Sequence, residues 1–316
     1  MQTIELTHPY KKEWLLQEPI VLALGFFDGI HLGHKEVITT AKRVGQERGY
    51  KVAVMSFNQH PSVIFQNVDP ESIQYVSPLE RKKELLEELG VDIFYLVDFT
   101  KEFGALTPQE FVDQYIVGLN AKVIVAGFDY TYGKRDIANM ELLPKYASNR
   151  FEIITISEQK NDSGKISSTA VRDLLQEGRI EEANKLLGYD YMMDGVVVHG
   201  FGRGSKMLGF PTANIEVSND TFLLKNGVYV VEMLVEGQWL PGMASIGINP
   251  TFDDVHKVTI EVNLLDFDKD IYHLPVRVKW LKYLRPELKF DGIEALIDQL
   301  KQDEENTRNY FKAKRG

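Results

Sequence analysis

The sequence predicts an α/β protein in two parts: an N-terminal doubly wound parallel sheet, then a C-terminal antiparallel β-barrel domain with a terminal helix. Three observations carry this expectation. Up to about residue 188, short apolar runs alternate with longer amphipathic segments, the pattern of strands joined by helices. Beyond it, short alternating strands follow one another between turn residues. The chain then ends in a helical pattern, with Ile293, Leu296, Ile297 and Leu300 at i, i+3, i+4 and i+7.

In the first part, runs at 20–24, 52–55, 93–97, 123–126 and 153–156 read as buried strands. Two helices announce their starts: Ser77-Pro78-Leu79-Glu80 and Thr107-Pro108-Gln109-Glu110 each offer a cap, a first-turn proline and a reciprocal glutamate. In the second part, 195–199, 227–235, 239–247, 258–265 and 276–280 read as barrel strands. The boundary falls in 188–194, giving domains 1–188 and 189–316. In a parallel sheet ligands bind beyond the carboxyl ends of the strands, so residues just after the runs are the first functional candidates.

Composition narrows the function. The chain has 316 residues, 44% hydrophobic and 26% charged, the balance of a soluble globular protein. No apolar run approaches the ~20 residues of a membrane span, and 1–18 is polar, so the expected compartment is the cytoplasm with no membrane partner. The absence of cysteine excludes disulfides, thiolate metal sites and cysteine nucleophiles. A net charge of −10 argues against a nucleic-acid partner. It also requires any site for a polyphosphate to gather positive charge locally.

One such gathering follows the first strand: Gly25-Phe26-Phe27-Asp28-Gly29-Ile30-His31-Leu32-Gly33-His34, opening a helix. Glycines allow close backbone approach, the helix start presents free N–H groups, and two histidines add donors. A second element, Ile166-Ser167-Ser168-Thr169-Ala170-Val171-Arg172, puts hydroxyls at a helix start and an arginine one turn on. Ser168 or Thr169 could equally be a plain helix cap. Together these stretches resemble the HxGH and ISSTxxR motifs of the nucleotidylyltransferase superfamily, in its FMN adenylyltransferase branch. The resemblance implies ATP as co-substrate and transfer of its adenylyl group to FMN, giving FAD. His31 and His34 would act on the phosphates, and Gly25, Phe27, Asp28, Gly33, Ser168, Thr169 and Arg172 would bind ATP. Gly127-Phe128-Asp129-Tyr130-Thr131-Tyr132-Gly133-Lys134 matches the family's aromatic loop, with Asp129 facing flavin. Three features depart from the pattern: Phe26 stands where asparagine is common, Arg135-Asp136-Ile137-Ala138-Asn139 is not the expected basic, glycine-containing continuation, and Phe57-Asn58-Gln59-His60-Pro61 keeps only the frame of a flavin-side loop.

The second part carries Gly200-Phe201-Gly202-Arg203-Gly204-Ser205-Lys206-Met207-Leu208-Gly209-Phe210-Pro211-Thr212-Ala213-Asn214, and the chain contains no GxxxxGK[ST] loop. A glycine-rich loop with Arg203 and Lys206 can wrap phosphates, or be simply a turn between strands. Its continuation resembles the GRGxxLGxPTAN signature of riboflavin kinases. That resemblance implies phosphate binding by Gly202, Arg203, Gly204 and Lys206, and Mg²⁺ held through Thr212 and Asn214, since Mg²⁺ prefers oxygen ligands. The family's catalytic carboxylate falls on Glu261, whose bland alternative is a solvent-facing strand residue. Leu284-Arg285-Pro286-Glu287-Leu288-Lys289-Phe290 matches a segment that lines the flavin pocket, making Arg285 and Glu287 flavin-binding candidates; a salt bridge at the helix entry explains them equally well. Asn263 replaces a frequent histidine.

The expected enzyme is bifunctional: riboflavin is phosphorylated to FMN by the second domain and FMN is adenylylated to FAD by the first. The competing readings are a kinase with a weakened adenylyltransferase, a flavin-binding regulator, and a tRNA-binding relative through the HxGH motif.

Overall fold

The computed structural model describes residues 1–11, 17–161, 164–200, 209–250 and 256–315. Two compact units emerge, Met1–Ser168 and Thr169–Gly316.

The elements of the first unit are β1 (Gln2–Leu6), β2 (Ile20–Leu24), α1 (Leu32–Arg48), β3 (Lys51–Phe57), α2 (Ser62–Phe65), α3 (Leu79–Glu88), β4 (Ile93–Val97), α4 (Lys101–Gly104), α5 (Pro108–Phe111), β5 (Ala121–Gly127), α6 (Leu143–Ala147), β6 (Glu152–Ile156) and the two-residue strands β7 (Lys160–Asn161) and β8 (Gly164–Lys165). Six strands form a parallel sheet in the order β1-β4-β3-β2-β5-β6. The expected doubly wound sheet is therefore present. Every residue of β2 is buried, so its two faces must each be covered. Ile20, Leu22 and Leu24 join Phe103, Phe111, Tyr115 and Ile116 in one core on one face. On the other face α1 packs against β2, β3 and β5 through its buried Val37, Ile38, Ala41 and Val44. The strand order runs outward from β2 to β3 and β4, then returns to β5 and β6. The reversal lies between β2 and β5, where a crevice opens at the strand ends.

Two details depart from the sequence reading. The stretch 1–18 was read only as polar, but it contributes edge strand β1, paired with β4; there Leu6 alone is buried, so the apolar pattern is faint. Ser77 does not cap α3. That helix starts after Pro78 without a side-chain cap, while Ser77 Oγ accepts the Gly29 N–H at 2.7 Å. Thr107 does form the expected capping box with Glu110 at α5, and the chain then runs on in a π-helical turn, Val112–Val117.

The second unit begins in α7 (Ser168–Glu177), whose first residue belongs to the first unit, and continues with α8 (Ile180–Leu187), β9 (Tyr191–Val198), β10 (Ala213–Val217), β11 (Gly227–Val235), β12 (Gln238–Pro250), β13 (His256–Leu264), β14 (Pro275–Arg285) and the C-terminal helix Ile293–Arg315. Antiparallel pairing closes the six strands into a barrel, β10-β13-β12-β11-β14-β9. The barrel with its terminal helix matches the expected class. Strand β10 was absent from the sequence reading because Ala213 and Asn214 carry little strand signal of their own. The C-terminal helix outruns its apolar stripe: Ile293 is exposed, and among its described residues the buried ones are Asp303, Thr307 and Phe311.

Candidate active sites

In the first unit the carboxyl ends of β2 and β5 open into a cleft of about 370 Å³. Its wall includes Gly25, Phe26, Phe27, His31, Gly33 and His34 from the turn after β2, with Gly127, Phe128 and Asp129 after β5 and Ile166, Ser167 and Ser168 opposite. The turn owes its shape to unusual backbone: Phe27, Gly29 and Ile30 all have positive φ, at 55°, 79° and 34°. Phe27 folds back so tightly that a Cβ on Gly25 would lie 2.8 Å from its ring, which is why glycine stands there. Asp28 is buried behind the turn, where its Oδ1 accepts the Ser77 N–H at 3.0 Å and its Oδ2 the Val76 N–H at 3.3 Å. Ser168 donates its hydroxyl to the Asp28 carbonyl at 2.8 Å. Asp28 and Ser168 thereby clamp the turn from both sides.

His31 is the N-cap of α1: its Nδ1 accepts the His34 N–H at 3.3 Å, which leaves Nε2 to carry the proton of the neutral ring. The two imidazoles stack at 3.7 Å between centroids, and Phe27 closes edge-on against His34 at 5.2 Å. A Cβ on Gly33 would come within 3.2 Å of the His31 ring, so this glycine keeps the stack flat. Burial drives the His31 pKa down to about 4, against smaller upward pulls from its own backbone hydrogen bond and from Asp129. His34 is held well below its ordinary value, first by burial and then by the charges of His31 and Lys82. Its Nδ1 is sealed from solvent without a hydrogen-bond partner. A pair of neutral ring donors thus faces the cleft beside the start of a 17-residue helix, an arrangement suited to a polyphosphate.

Asp129 lies in the cleft, 3.5 Å from Lys165, which also approaches Glu158 at 3.5 Å. Thr169 and Arg172 belong to the second unit, where the Arg172 guanidinium lies 5.9 Å from the Phe222 ring. Phe26 and His60, which both stand at departures from the family pattern, make an aromatic wall, edge to face at 5.1 Å, with Tyr75 beyond. Sequence reasoning missed two neighbours. Lys165 sits over Phe128 at 5.2 Å. Lys82 is buried behind the turn; the one available signal was its phase, on the same stripe of α3 as Leu85 and Leu86.

In the barrel, pairing register sets Glu261 of β13 opposite both Asn214 of β10 and Ser245 of β12. Thr212 Oγ1 donates to Glu261 Oε2 at 3.2 Å. Asn263, two residues along β13 on the same face, donates to the Pro211 carbonyl at 2.7 Å and so ties down the strand entry. A Cβ on Gly200 would collide with the Asn214 amide, so the bare backbone there makes room for that side chain. Beside Thr212 a cleft of about 400 Å³ is lined by Val197, Ala213, Val262, Leu264, Ile271 and Tyr272, among others. Arg285 makes a paired salt bridge to buried Asp303 of the C-terminal helix, Nε to Oδ1 at 3.0 Å and Nη2 to Oδ2 at 2.7 Å. Glu287 packs its carboxylate on Gly247, where a Cβ would collide with it. Gly202, Arg203, Gly204 and Lys206 lie outside the described residues.

The described residues contain no cluster of three or more His, Cys, Asp or Glu placed to hold a metal ion. Thr212 and Asn214 instead offer hard, uncharged oxygens beside a carboxylate, a donor set that fits a cation sharing its shell with water and phosphates.

Comparison with known proteins divides the chain similarly. Residues 15–170 match the family described as FAD synthetase, and residues 187–311 the family described as riboflavin kinase. A Listeria monocytogenes bifunctional riboflavin kinase/FMN adenylyltransferase is 49% identical, over 98% of both chains. The Bacillus subtilis protein of the same name is 41% identical over 98% of both. A crystal structure described as a macrolide-efflux protein from Streptococcus pneumoniae superposes with a TM-score of 0.90 at 38% identity, covering 98% of this chain and 99% of that one. Among the described residues, no helix is long and apolar enough to cross a membrane.

Proposed function

We propose, from the premise that this chain belongs to the bifunctional riboflavin kinase/FMN adenylyltransferase family, how its two units divide the chemistry. The chain is a transferase that makes FMN from riboflavin in its C-terminal domain and FAD from FMN in its N-terminal domain. The assignment of residues to the two steps is our reading. We place the functional boundary at 188/189 and the enzyme in the cytoplasm.

In the first unit ATP lies across the cleft with its phosphates at His31, His34, Gly33 and the start of α1, and Gly25 and Phe27 keep the backbone close enough. An oxygen of the FMN phosphate attacks the α-phosphorus; the new P–O bond forms as the bond to the β-phosphate breaks, and pyrophosphate leaves. The electron pair stays with pyrophosphate, so no side chain needs to take a proton. The rings of His31 and His34 donate to the oxygens where charge grows. Ser168 holds the turn, Thr169 and Arg172 receive the leaving group, and Asp129 with the aromatic wall of Phe26 faces the flavin. The stacked, neutral histidine pair at the strand-order reversal is the observation that carries this reading.

In the barrel Glu261 accepts the proton of the terminal ribityl hydroxyl as that oxygen attacks the γ-phosphorus of ATP, and ADP departs. Thr212 aims the carboxylate through its hydrogen bond. Gly202, Arg203, Gly204 and Lys206 wrap the phosphates. Thr212 and Asn214 would hold Mg²⁺, which when bound with ATP neutralises phosphate charge. Arg285 and Glu287 border the flavin, Arg285 while anchoring the C-terminal helix.

A time course with riboflavin, excess ATP and Mg²⁺, separated by chromatography, tests the scheme. FMN rising and then converting to FAD is expected. FMN that accumulates without FAD removes the first-site reading, and absence of FMN removes the second.

A further inference from the structure

Lys82 has no role in the chemistry above, yet it is among the most deeply buried charged residues, with 3% of its surface exposed. Its neighbour Arg81 turns to Glu84 and Glu88 at 2.8 and 3.4 Å. Lys82 does not. Among the described residues no carboxylate lies within 4.0 Å of its ammonium. The hydrogen bond and the ring contact of its ammonium are with one residue: Nζ donates to the Phe26 carbonyl at 2.9 Å and sits 4.3 Å from the Phe26 ring centroid. Ser56 already donates to that carbonyl at 2.7 Å, so the hydrogen bond alone does not require a lysine. Burying an ammonium without a paired anion costs several kcal/mol, which a neutral donor or a methionine would avoid.

The turn that Lys82 backs presents its other side to the cleft, and the charge of Lys82 is felt at His34 inside it. Asp28, the acid nearest in effect, lends Lys82 partial support while its carboxylate is bonded to Ser77 and Val76. ATP and FMN together bring several negative charges to the open side. We propose that Lys82 is a positioning residue of adenylyl transfer, which braces the turn at Phe26 and gives the phosphate site a positive charge from behind. The inference rests on the first-site reading above. It has a cost in stability: burial lowers the Lys82 pKa to about 8, so the folded state holds this proton less firmly than the unfolded chain does.

The test uses the full chain with Lys82→Gln, Lys82→Met and Lys82→Arg. Glutamine keeps a donor for the Phe26 carbonyl without charge; arginine keeps the charge. For adenylylation, kcat and KM for ATP are measured, with riboflavin phosphorylation and the thermal midpoint followed on the same preparations. Lys82→Gln and Lys82→Met are expected to lose about 10- to 100-fold in kcat/KM for ATP, with the thermal midpoint unchanged or raised, and Lys82→Arg to recover most of the loss. Wild-type adenylylation in Lys82→Gln overturns the proposal. So does an equal loss in all three variants accompanied by a lower midpoint, which means packing alone. If the unmodified chain adenylylates no FMN, the first-site reading fails separately. Calorimetric titration with pyrophosphate then decides: weaker binding in Lys82→Gln than in Lys82→Arg supports the charge, and equal binding overturns it.

Discussion

At the scale of single residues, the cleft of the first unit holds two histidines that burial keeps neutral. Stacked at 3.7 Å, the rings could not both be charged without a ligand, and Lys82 adds to that pressure on His34. The consequence for stability has a definite sign. The folded pKa of His31 is about 4, below its ordinary 6.5, so between those values the unfolded chain binds a proton that the folded one refuses. Stability is therefore complete above pH 6.5 and falls as pH drops toward 4, by roughly 3 kcal/mol from His31 alone. Denaturant melts of wild type and His31→Gln at pH 7 and pH 4.5 check this; the variant should lose less on acidification. In catalysis, His34→Ala is expected to lower the adenylylation rate about 100- to 1000-fold while riboflavin phosphorylation on the same preparation stays unchanged.

At the scale of elements, caps and anchors show how local chemistry yields to tertiary need. Thr107 does what its position suggests, and Thr107→Ala should cost about 1 kcal/mol in a denaturant melt. Ser77 looks equivalent in sequence but is drawn away to the Gly29 amide and to Asp28, so Ser77→Ala should disturb adenylylation more than it disturbs α3. The C-terminal helix is fastened at Arg285–Asp303, with Asp303 fully buried. Arg285→Met strands that carboxylate with Gln299 as its remaining side-chain donor, and should cost about 3–5 kcal/mol in the unfolding of the barrel unit. A raised KM for riboflavin with unchanged stability would instead mark Arg285 as purely a flavin ligand.

At the scale of the whole molecule, two compact units carry two reactions that share FMN. Glu261→Ala should remove phosphorylation and leave adenylylation of supplied FMN, the mirror image of His34→Ala. An equimolar mixture of these two variants is expected to convert riboflavin to FAD, because FMN released by one chain can enter another. Chromatography of that mixture checks it; FMN formation without FAD would mean that the intermediate passes only within a chain.

By itself the sequence determined the two fold classes and the order of the units. Fully apolar strands such as β2 can exist only in a sheet covered on both faces, and alternating strands only where one face is wet. It also determined the residues of chemical character, since a His-x-Gly-His turn at a strand end and a threonine beside asparagine are local patterns. What tertiary structure alone decided was which of these groups line the clefts and which face the framework. Asp28 turned inward because the amides of Val76 and Ser77 meet it from another part of the chain. Arg285 was claimed by an acid 18 residues away on the C-terminal helix. Lys82 stands in the charged stretch Glu80-Arg81-Lys82-Lys83-Glu84, and only packing of α3 against the turn buried it. Strand β10 formed because β9 and β13 lay ready to pair with it, although its own residues asked for little. Local propensity is written in neighbours along the chain, whereas desolvation and pairing depend on neighbours in space.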